Sequence, residues 1–278
     1  MASSDLSRIA GNIGALNALY ALQNVNAQLA TAQTRLSTGK RINSAEDDPA
    51  GFQFASKFQV RSEGLQVAMD IIGDAKNMLS VAEGGQRKIN DLLIKIRNKS
   101  LEAASDTVGT AERTAVATQI AAFSSQMDDI VTQTTWNGNK LLDGTFTAKL
   151  IRTGVDSGDT LTFGISTDHK GATLVSTVPT GTSTAAEWGT FADGIKTDLE
   201  TVGTAVAGVG SNMARLTAQE GNLQVQHANT EASYNRIMNA NMAMEQVNAT
   251  KFAILQQTST AMLAQANSGP QYVLSLFR

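Results

Sequence analysis

Residues 65–96, LQVAMDIIGDAKNMLSVAEGGQRKINDLLIKI, carry the strongest structural signal in this chain. Predicted core positions, nearly all of them apolar, recur here every seven residues in two neighbouring rows. The first row is Leu65, Ile72, Leu79, Gln86 and Leu93, and the second is Ala68, Ala75, Ala82, Ile89 and Ile96. A seam with this period is typical of a long helix packed along another helix. The pair Gly84-Gly85 interrupts the seam and predicts a bend.

A second seam lies near the start of the chain. Its members recur at spacings of three and four: Ala15, Ala18, Leu22, Val25, Leu29, Ala32 and Leu36. An adjacent apolar stripe consists of Leu6, Ile9, Ile13, Leu16 and Tyr20. We expect Gly39 to end this helix as a left-handed cap. Asp48 should cap the next helix, with Pro49 at its first position.

The other end of the chain follows the same rule. Apolar positions recur at Ile237, Met244, Val247, Ile254, Thr258 and Met262, and the last residues include Tyr272, Val273, Leu274, Leu276 and Phe277. Terminal segments usually fray unless a partner holds them. The opposite faces carry Asn, Gln, Ser and Thr, which suits helices surrounded by other helices. We therefore expect the two ends to pair.

The spacing of the apolar residues changes in the middle of the chain. A third helix, with Val116, Ile120, Phe123, Met127 and Ile130, should end before a Trp136–Asn139 turn. Segments 148–152 and 160–165 are predicted as a β-hairpin, and 172–178 as a possible third strand. Helix then returns with Ile195, Leu199, Val202, Val206, Val209, Met213, Leu216 and Leu223. The predicted fold class is mainly α: an antiparallel long-helix rod or coiled-coil bundle built from both chain ends, with a small β-hairpin region in the middle.

The amino-acid composition excludes several classes of function. The net charge of −3 predicts no nucleic-acid partner, because no broad basic field is present. The absence of cysteine excludes a disulfide scaffold, a Cys-ligated metal site and a thiol nucleophile. No apolar run is long enough to insert into a membrane, and the first residues show no cleavable signal.

No set of side chains indicates catalysis, so we predict that the chain is not an enzyme and uses no cofactor or metal. His169 follows Asp168 in a predicted turn, and His227 lies in a helix rich in Gln and Asn. Neither belongs to a zinc-binding His-Glu-x-x-His motif. Adjacent carboxylates, such as those of Asp128 and Asp129, diverge on a helix and make a poor acid–base couple.

Two motifs at opposite ends of the chain resemble a known family. Residues 35–51, RLSTGKRINSAEDDPAG, resemble the N-terminal signature of bacterial flagellin. The stretches ILQQ (254–257), MLAQAN (262–267) and VLSLFR (273–278) resemble its C-terminus. Residues 136–142, WNGNKLL, resemble the turn that closes its N-terminal helical region. The likeness covers roughly residues 5–165 and 190–278.

The resemblance implies a division into layers. Residues 1–44 and 235–278 would form an inner helical layer. Residues 45–190 would form part of a second layer, with a hairpin at about 147–165 and a short variable loop at about 166–190, and residues 191–234 would complete it. The core seam of this layer is expected at Leu65, Ile72, Leu79, Ile89, Leu93, Ile96, Ile120, Phe123, Met127, Leu199, Val206, Met213 and Leu216. The chain resembles a short flagellin with essentially no outer domain.

The resemblance also implies the function: a subunit that polymerises into the extracellular flagellar filament and is exported by a type III route. The implied partners are further copies of the chain, an export chaperone at the C-terminal helix, the filament cap and the hook–filament junction proteins. Self-association is expected through Leu6, Ile9, Ile13, Leu16, Leu22, Val25, Leu29, Leu36, Ile254, Leu255, Met262, Leu263, Val273, Leu274, Leu276 and Phe277.

Two alternative functions stay open at this point. One is a hook–filament junction protein, which would not polymerise alone, and the other is a surface adhesin or binding module that uses the β region. A separate expectation concerns innate immunity. The positions that match the receptor-binding patch of sensed flagellins are Lys95, Lys99 and Gln119. Their charge and shape differ from that patch, which predicts weak sensing.

Overall fold

A computed structural model describes residues 12–175 and 177–275, with side chains described to residue 268. The long helices are α1 (Ile13–Thr38), α2 (Pro49–Ala103), α3 (Thr110–Gln133), α5 (Ala185–Met238) and α6 (Met242–Ser275). A single turn, α4, spans Gly171–Leu174. Two antiparallel strand pairs lie between α3 and α4: β1 (Thr135–Trp136) with β2 (Asn139–Lys140), and β3 (Lys149–Arg152) with β4 (Thr160–Phe163). The predicted, mainly helical fold class with a small β-hairpin is confirmed.

The chain divides into two compact units. The terminal unit comprises the described residues up to Val60 and from Asn229 onward, and the central unit comprises residues 61–228. In the terminal unit α1 packs against α6. A small second core, formed by Ile42, Ala55 and Met238, lies in the same unit. The terminal unit is therefore built from segments at opposite ends of the sequence.

The predicted helix boundaries of the N-terminal region are confirmed. Gly39 follows α1 with a left-handed φ of 70° and donates its N–H to the Arg35 carbonyl. Asp48 accepts a hydrogen bond from the Gly51 N–H at 2.9 Å, so it caps α2, which begins at Pro49. The Asn137-Gly138 turn between β1 and β2 has positive φ at both residues, as a two-residue hairpin requires.

The central unit has one large apolar core. The members of the predicted seam that are buried are Leu65, Ile72, Leu79, Ile89, Leu93, Ile96, Ile120, Met127 and Leu216. The members that are partly buried against this core are Phe123, Leu199, Val206 and Met213. Trp188 is fully buried in the same cluster. These apolar contacts are the main stabilising interaction of the unit.

Helix α2 continues through the Gly84-Gly85 pair, so the bend expected there stays a prediction for a continuous helix. The helix runs unbroken from Pro49 to Ala103. A Cβ at position 85 would lie 2.7 Å from Leu142 Cδ1 and 2.8 Å from Thr134 Oγ1. Gly85 is therefore explained by close packing against the segment that follows α3.

The predicted third strand at 172–178 was wrong. Residues Gly171–Leu174 form the helical turn α4. The Asp168 carboxylate accepts hydrogen bonds from the Lys170 N–H at 3.1 Å and the Thr173 hydroxyl at 3.0 Å. The Gly171 N–H donates to Asp128 of α3 at 2.9 Å. These side-chain acceptors close a turn where composition favoured an extended chain.

The Arg113 side chain links α3 to the end of α2, to the α2–α3 connection and to the segment before α5. Its guanidinium donates to the carbonyls of Ala103 at 3.0 Å, Ser105 at 3.1 Å and Ser183 at 3.0 Å. We expect Arg113→Met to lower the free energy of unfolding by about 2–3 kcal/mol, because a charged donor to three carbonyls is lost. Urea unfolding followed by circular dichroism measures this change. Lys95→Met, at an exposed position of α2, is the control and should have little effect.

A polar pair lies inside the apolar core. Gln86 and His169 are both fully buried, and the Gln86 Nε2 atom lies 3.3 Å from His169 Nε2. Burial lowers the pKa of His169, an effect that backbone groups of Thr167 and Leu142 partly oppose. The sequence placed Gln86 on the core seam, but it did not indicate that His169 is its partner.

This buried imidazole predicts a pH dependence of stability. The folded state favours neutral His169, so the unfolded state binds more protons once the pH approaches the ordinary pKa of 6.5. Stability should be fully present above that pH and fall as the pH drops through 6.5 toward the lowered folded-state pKa. Denaturant titrations across this range should show a smaller acid loss in His169→Gln. An equal loss in both proteins would contradict the assignment.

Candidate self-assembly surface

The helix pair of the terminal unit carries almost no charge. Arg35, Glu245 and Lys251 are the charged residues of α1 and α6. Arg35 and Glu245 pair with each other, with 3.4 Å between Arg35 Nη1 and Glu245 Oε1. Identical copies can therefore approach these helices with little electrostatic repulsion.

Polar contacts set the antiparallel register of α1 and α6. The Asn12 amide donates to the Ala266 carbonyl at 2.8 Å, and the Gln256 amide donates to Asn26 at 2.7 Å. The Arg35–Glu245 ion pair adds a third contact near the other end of the helix pair. Glu245 is nearly buried there, with its side chain 12% exposed. Each contact matches the same antiparallel alignment, so register is specified along the whole pair.

The N-terminal seam lies on the inner side of this pair. Ala32 is buried, and the half-buried members are Ala15, Ala18, Leu22, Val25, Leu29 and Leu36. The C-terminal seam has a different position. On α6 the half-buried residues include Phe252, Ala253, Gln256 and Leu263. Val247 and Ile254, which belong to the C-terminal seam, are exposed.

Two apolar stripes therefore face outward. The outer stripe of α1 consists of Ile13, Leu16 and Tyr20, which are 50–70% exposed. The outer stripe of α6 consists of Met244, Val247, Ile254 and Met262, which are 58–62% exposed. Leu255 is also exposed. Exposed apolar side chains that share one side of a helix are candidates for an interaction surface in soluble proteins.

Six of the predicted self-association residues have no described side chain. Leu6, Ile9, Leu276 and Phe277 lie outside the described residues. Val273 and Leu274 belong to α6 by their backbone. The structure thus places Ile13, Leu16, Ile254, Leu255 and Met262 on the surface, and Leu22, Val25, Leu29, Leu36 and Leu263 on or near the α1–α6 contact.

The signature at residues 35–51 builds a loop that meets the α5–α6 connection. The Arg41 guanidinium donates to the Ile237 carbonyl at 3.0 Å, and the Arg41 N–H donates to the Met238 carbonyl at 2.6 Å. Asp47 accepts hydrogen bonds from the N–H groups of Asn43 and Ser44, which lower its pKa. Arg41 and Asp47 of this motif thus have local structural roles.

The described residues contain no group of three His, Cys, Asp or Glu side chains that could hold a metal ion. Within the same part of the chain, no helix has the length and apolar character needed to cross a membrane.

The paired, weakly charged terminal helices and the buried core of the central unit define a mainly helical protein whose two chain ends fold together. Residues 9–147 match the family model "Bacterial flagellin N-terminal helical region", and residues 192–277 match "Bacterial flagellin C-terminal helical region". This chain belongs to the bacterial flagellin family.

Individual relatives differ in how much of their length they share with the chain. "Flagellin" of Bacillus subtilis (strain 168) is 31% identical over 98% of this chain and 100% of that protein. "Polar flagellin B/D" of Vibrio parahaemolyticus is 36% identical over 53% of this chain, which spans 39% of that protein. The crystal structure of Bacillus cereus flagellin has a TM-score of 0.48 and 23% identity, covering 54% of this chain and 86% of that one.

Proposed function

We infer that this chain is a structural subunit that polymerises with its own copies into the extracellular filament of the bacterial flagellum. Family membership over both terminal regions supports this function. The structural observation that most strongly supports this function is the pair of outward apolar stripes on α1 and α6. Burying them between copies would stabilise a polymer through the hydrophobic effect. The role is structural, and the proposed inner layer consists of residues 1–44 and 235–278.

Seeded elongation tests this function. Purified chain is added to short filament fragments of the same protein, and growth is followed by sedimentation and electron microscopy. We expect the fragments to lengthen. A chain that stays soluble beside intact fragments, or that forms only closed oligomers, would contradict the proposal. The first of these outcomes is also the behaviour expected of a hook–filament junction protein, which family membership does not favour.

The proposed partners other than further copies of the chain are an export chaperone, a filament cap and hook–filament junction proteins. We propose that an export chaperone covers the outer stripe of α6 before assembly, because exposed Val247 and Ile254 would otherwise favour premature association. A filament cap and hook–filament junction proteins would contact the subunits at the two ends of the polymer. Ile254→Asp should weaken co-purification of the chaperone, and unchanged recovery would contradict this assignment.

We also propose that the innate immune receptor for flagellin senses this chain only weakly. Lys95 and Lys99 lie on α2, and Gln119 is exposed on α3. The Lys99 ammonium donates to Glu102 at 2.8 Å, which partly neutralises this position. A receptor reporter assay should give weak activation, and full activation would overturn the proposal.

A further inference from the structure

The central unit has a cavity of about 490 Å³ beside the first turns of α5. Its apolar lining includes Leu174, Phe191 and Ile195. Leu174 and Ile195 are nearly buried, whereas Thr190 at the same cavity is exposed. The cavity is thus large enough for an aliphatic side chain and is open to solvent on one side.

Two carboxylates line the cavity, and they differ in their partners. Glu187 accepts hydrogen bonds from the N–H group of Thr184 at 2.7 Å and from its hydroxyl at 3.1 Å, so it belongs to the N-terminal cap of α5. Asp198 is half-buried and has no hydrogen bond or ion pair with the described residues. Burial raises the pKa of Asp198. A cation brought to this carboxylate would compensate its lost hydration.

A complementary surface lies on the β3–β4 hairpin. Leu150 is 60% exposed, and Arg152 is exposed with no ion pair among the described residues. Side chains alternate along a strand, so Leu150 and Arg152 share the face opposite the partly buried Ile151. This face presents one aliphatic side chain beside one cation, which matches an apolar cavity beside one unpaired carboxylate.

The hairpin face and the cavity cannot meet within one molecule. The hairpin is held at the far part of α5, where the Gln219 amide donates to the Thr153 carbonyl at 3.2 Å. At ~1.5 Å per residue, α5 extends roughly 32 Å from Asp198 to Gln219. Leu150 precedes Thr153 by three residues, roughly 10 Å of strand. Leu150 and Asp198 therefore lie too far apart to contact each other within one molecule.

We propose that Leu150 of one copy enters the α5 cavity of the next copy, where Arg152 pairs with Asp198. The contact rests on the proposed function, because it requires copies that stack. Two different patches meet in such a contact, so it is heterologous and repeats as an open series. Charge complementarity selects a second copy as the occupant of the cavity. This contact lies in the central unit and is separate from the stripes of the terminal unit.

Charge reversal tests the pairing. Arg152→Glu and Asp198→Arg are made singly and together, and elongation from wild-type fragments is measured. Each single variant should elongate at least ~10-fold more slowly, because like charges then meet in a partly buried contact. The double variant restores opposite charges and should recover most of the rate. Single variants as fast as wild type, or a double variant no faster than the singles, would overturn the contact.

Disulfide trapping gives a second, geometric measurement. The natural chain has no cysteine, so a Leu150→Cys, Thr190→Cys double variant introduces the only thiols. Assembled filaments treated with a mild oxidant should yield a ladder of covalent oligomers on denaturing gels, which requires Cα atoms within about 7 Å between copies. Leu150→Cys alone and Thr190→Cys alone are the controls, and neither should give a ladder.

The outcomes separate this contact from polymerisation itself. If wild-type chain fails to elongate fragments, the proposed function fails. If wild-type chain elongates them but the 150–190 pair gives no ladder and charge reversal gives no rescue, only the hairpin–cavity contact is overturned. Circular dichroism of each variant establishes whether it is folded. Leu150, Arg152 and Thr190 are exposed and Asp198 is half-buried, so the Asp198→Arg variant needs this check most.

Discussion

An Ile254→Asp, Met262→Asp double variant is expected to stay monomeric when filament fragments are added. Both residues belong to the outer stripe of α6, where they are 58% and 62% exposed. Each substitution removes an apolar side chain worth about 1.5–3 kcal/mol on full burial. Each also places an unpaired carboxylate in the interface, which costs several kcal/mol more. Sedimentation after seeding measures the loss.

The matched control keeps the surface apolar. Ile254→Leu, Met262→Leu changes shape with little change in hydrophobicity, so its elongation should be close to that of the wild type. Both variants should retain wild-type helix content, because the altered side chains are exposed in the single chain. Normal elongation by the aspartate variant would show that the outer stripe of α6 is not an assembly surface.

The second large effect concerns stability. Leu93→Ala should lower the free energy of unfolding by about 2–5 kcal/mol, the range for a large side chain removed from a packed core. Leu93 is fully buried in the core of the central unit. Urea unfolding followed by circular dichroism measures the change.

Val81→Ala is the control on the same helix. Val81 is 40% exposed, so its truncation should change stability by less than about 1 kcal/mol. Equal effects of the two substitutions would contradict the assignment of the seam as the core of this unit.

Features that depend on neighbouring residues were predictable. Gly39 and Asp48 were predicted as caps because left-handed backbone and N-terminal capping are requirements of one or two positions. Asn137-Gly138 was recognised as a turn for the same reason. The seven-residue seam of α2 was visible because each buried position recurs on one face of a single helix.

Features that depend on distant residues were not predictable. The 172–178 segment has strand-like composition, yet Asp168 and Asp128 close a helical turn there. His169 was assigned to a turn, and its burial beside Gln86 depends on packing across 83 positions. The unpaired carboxylate of Asp198 and its cavity carry no sequence signal at all.

Sequence periodicity predicted that α1 and α6 are long, weakly charged helices with apolar rows, because period and charge are properties of each helix alone. It could not establish which row of α6 turns inward. Contacts with residues more than 200 positions away decide this, including the pairing of Arg35 with Glu245 and of Asn26 with Gln256. They leave Phe252 half-buried and Val247 and Ile254 exposed, where another copy can cover them.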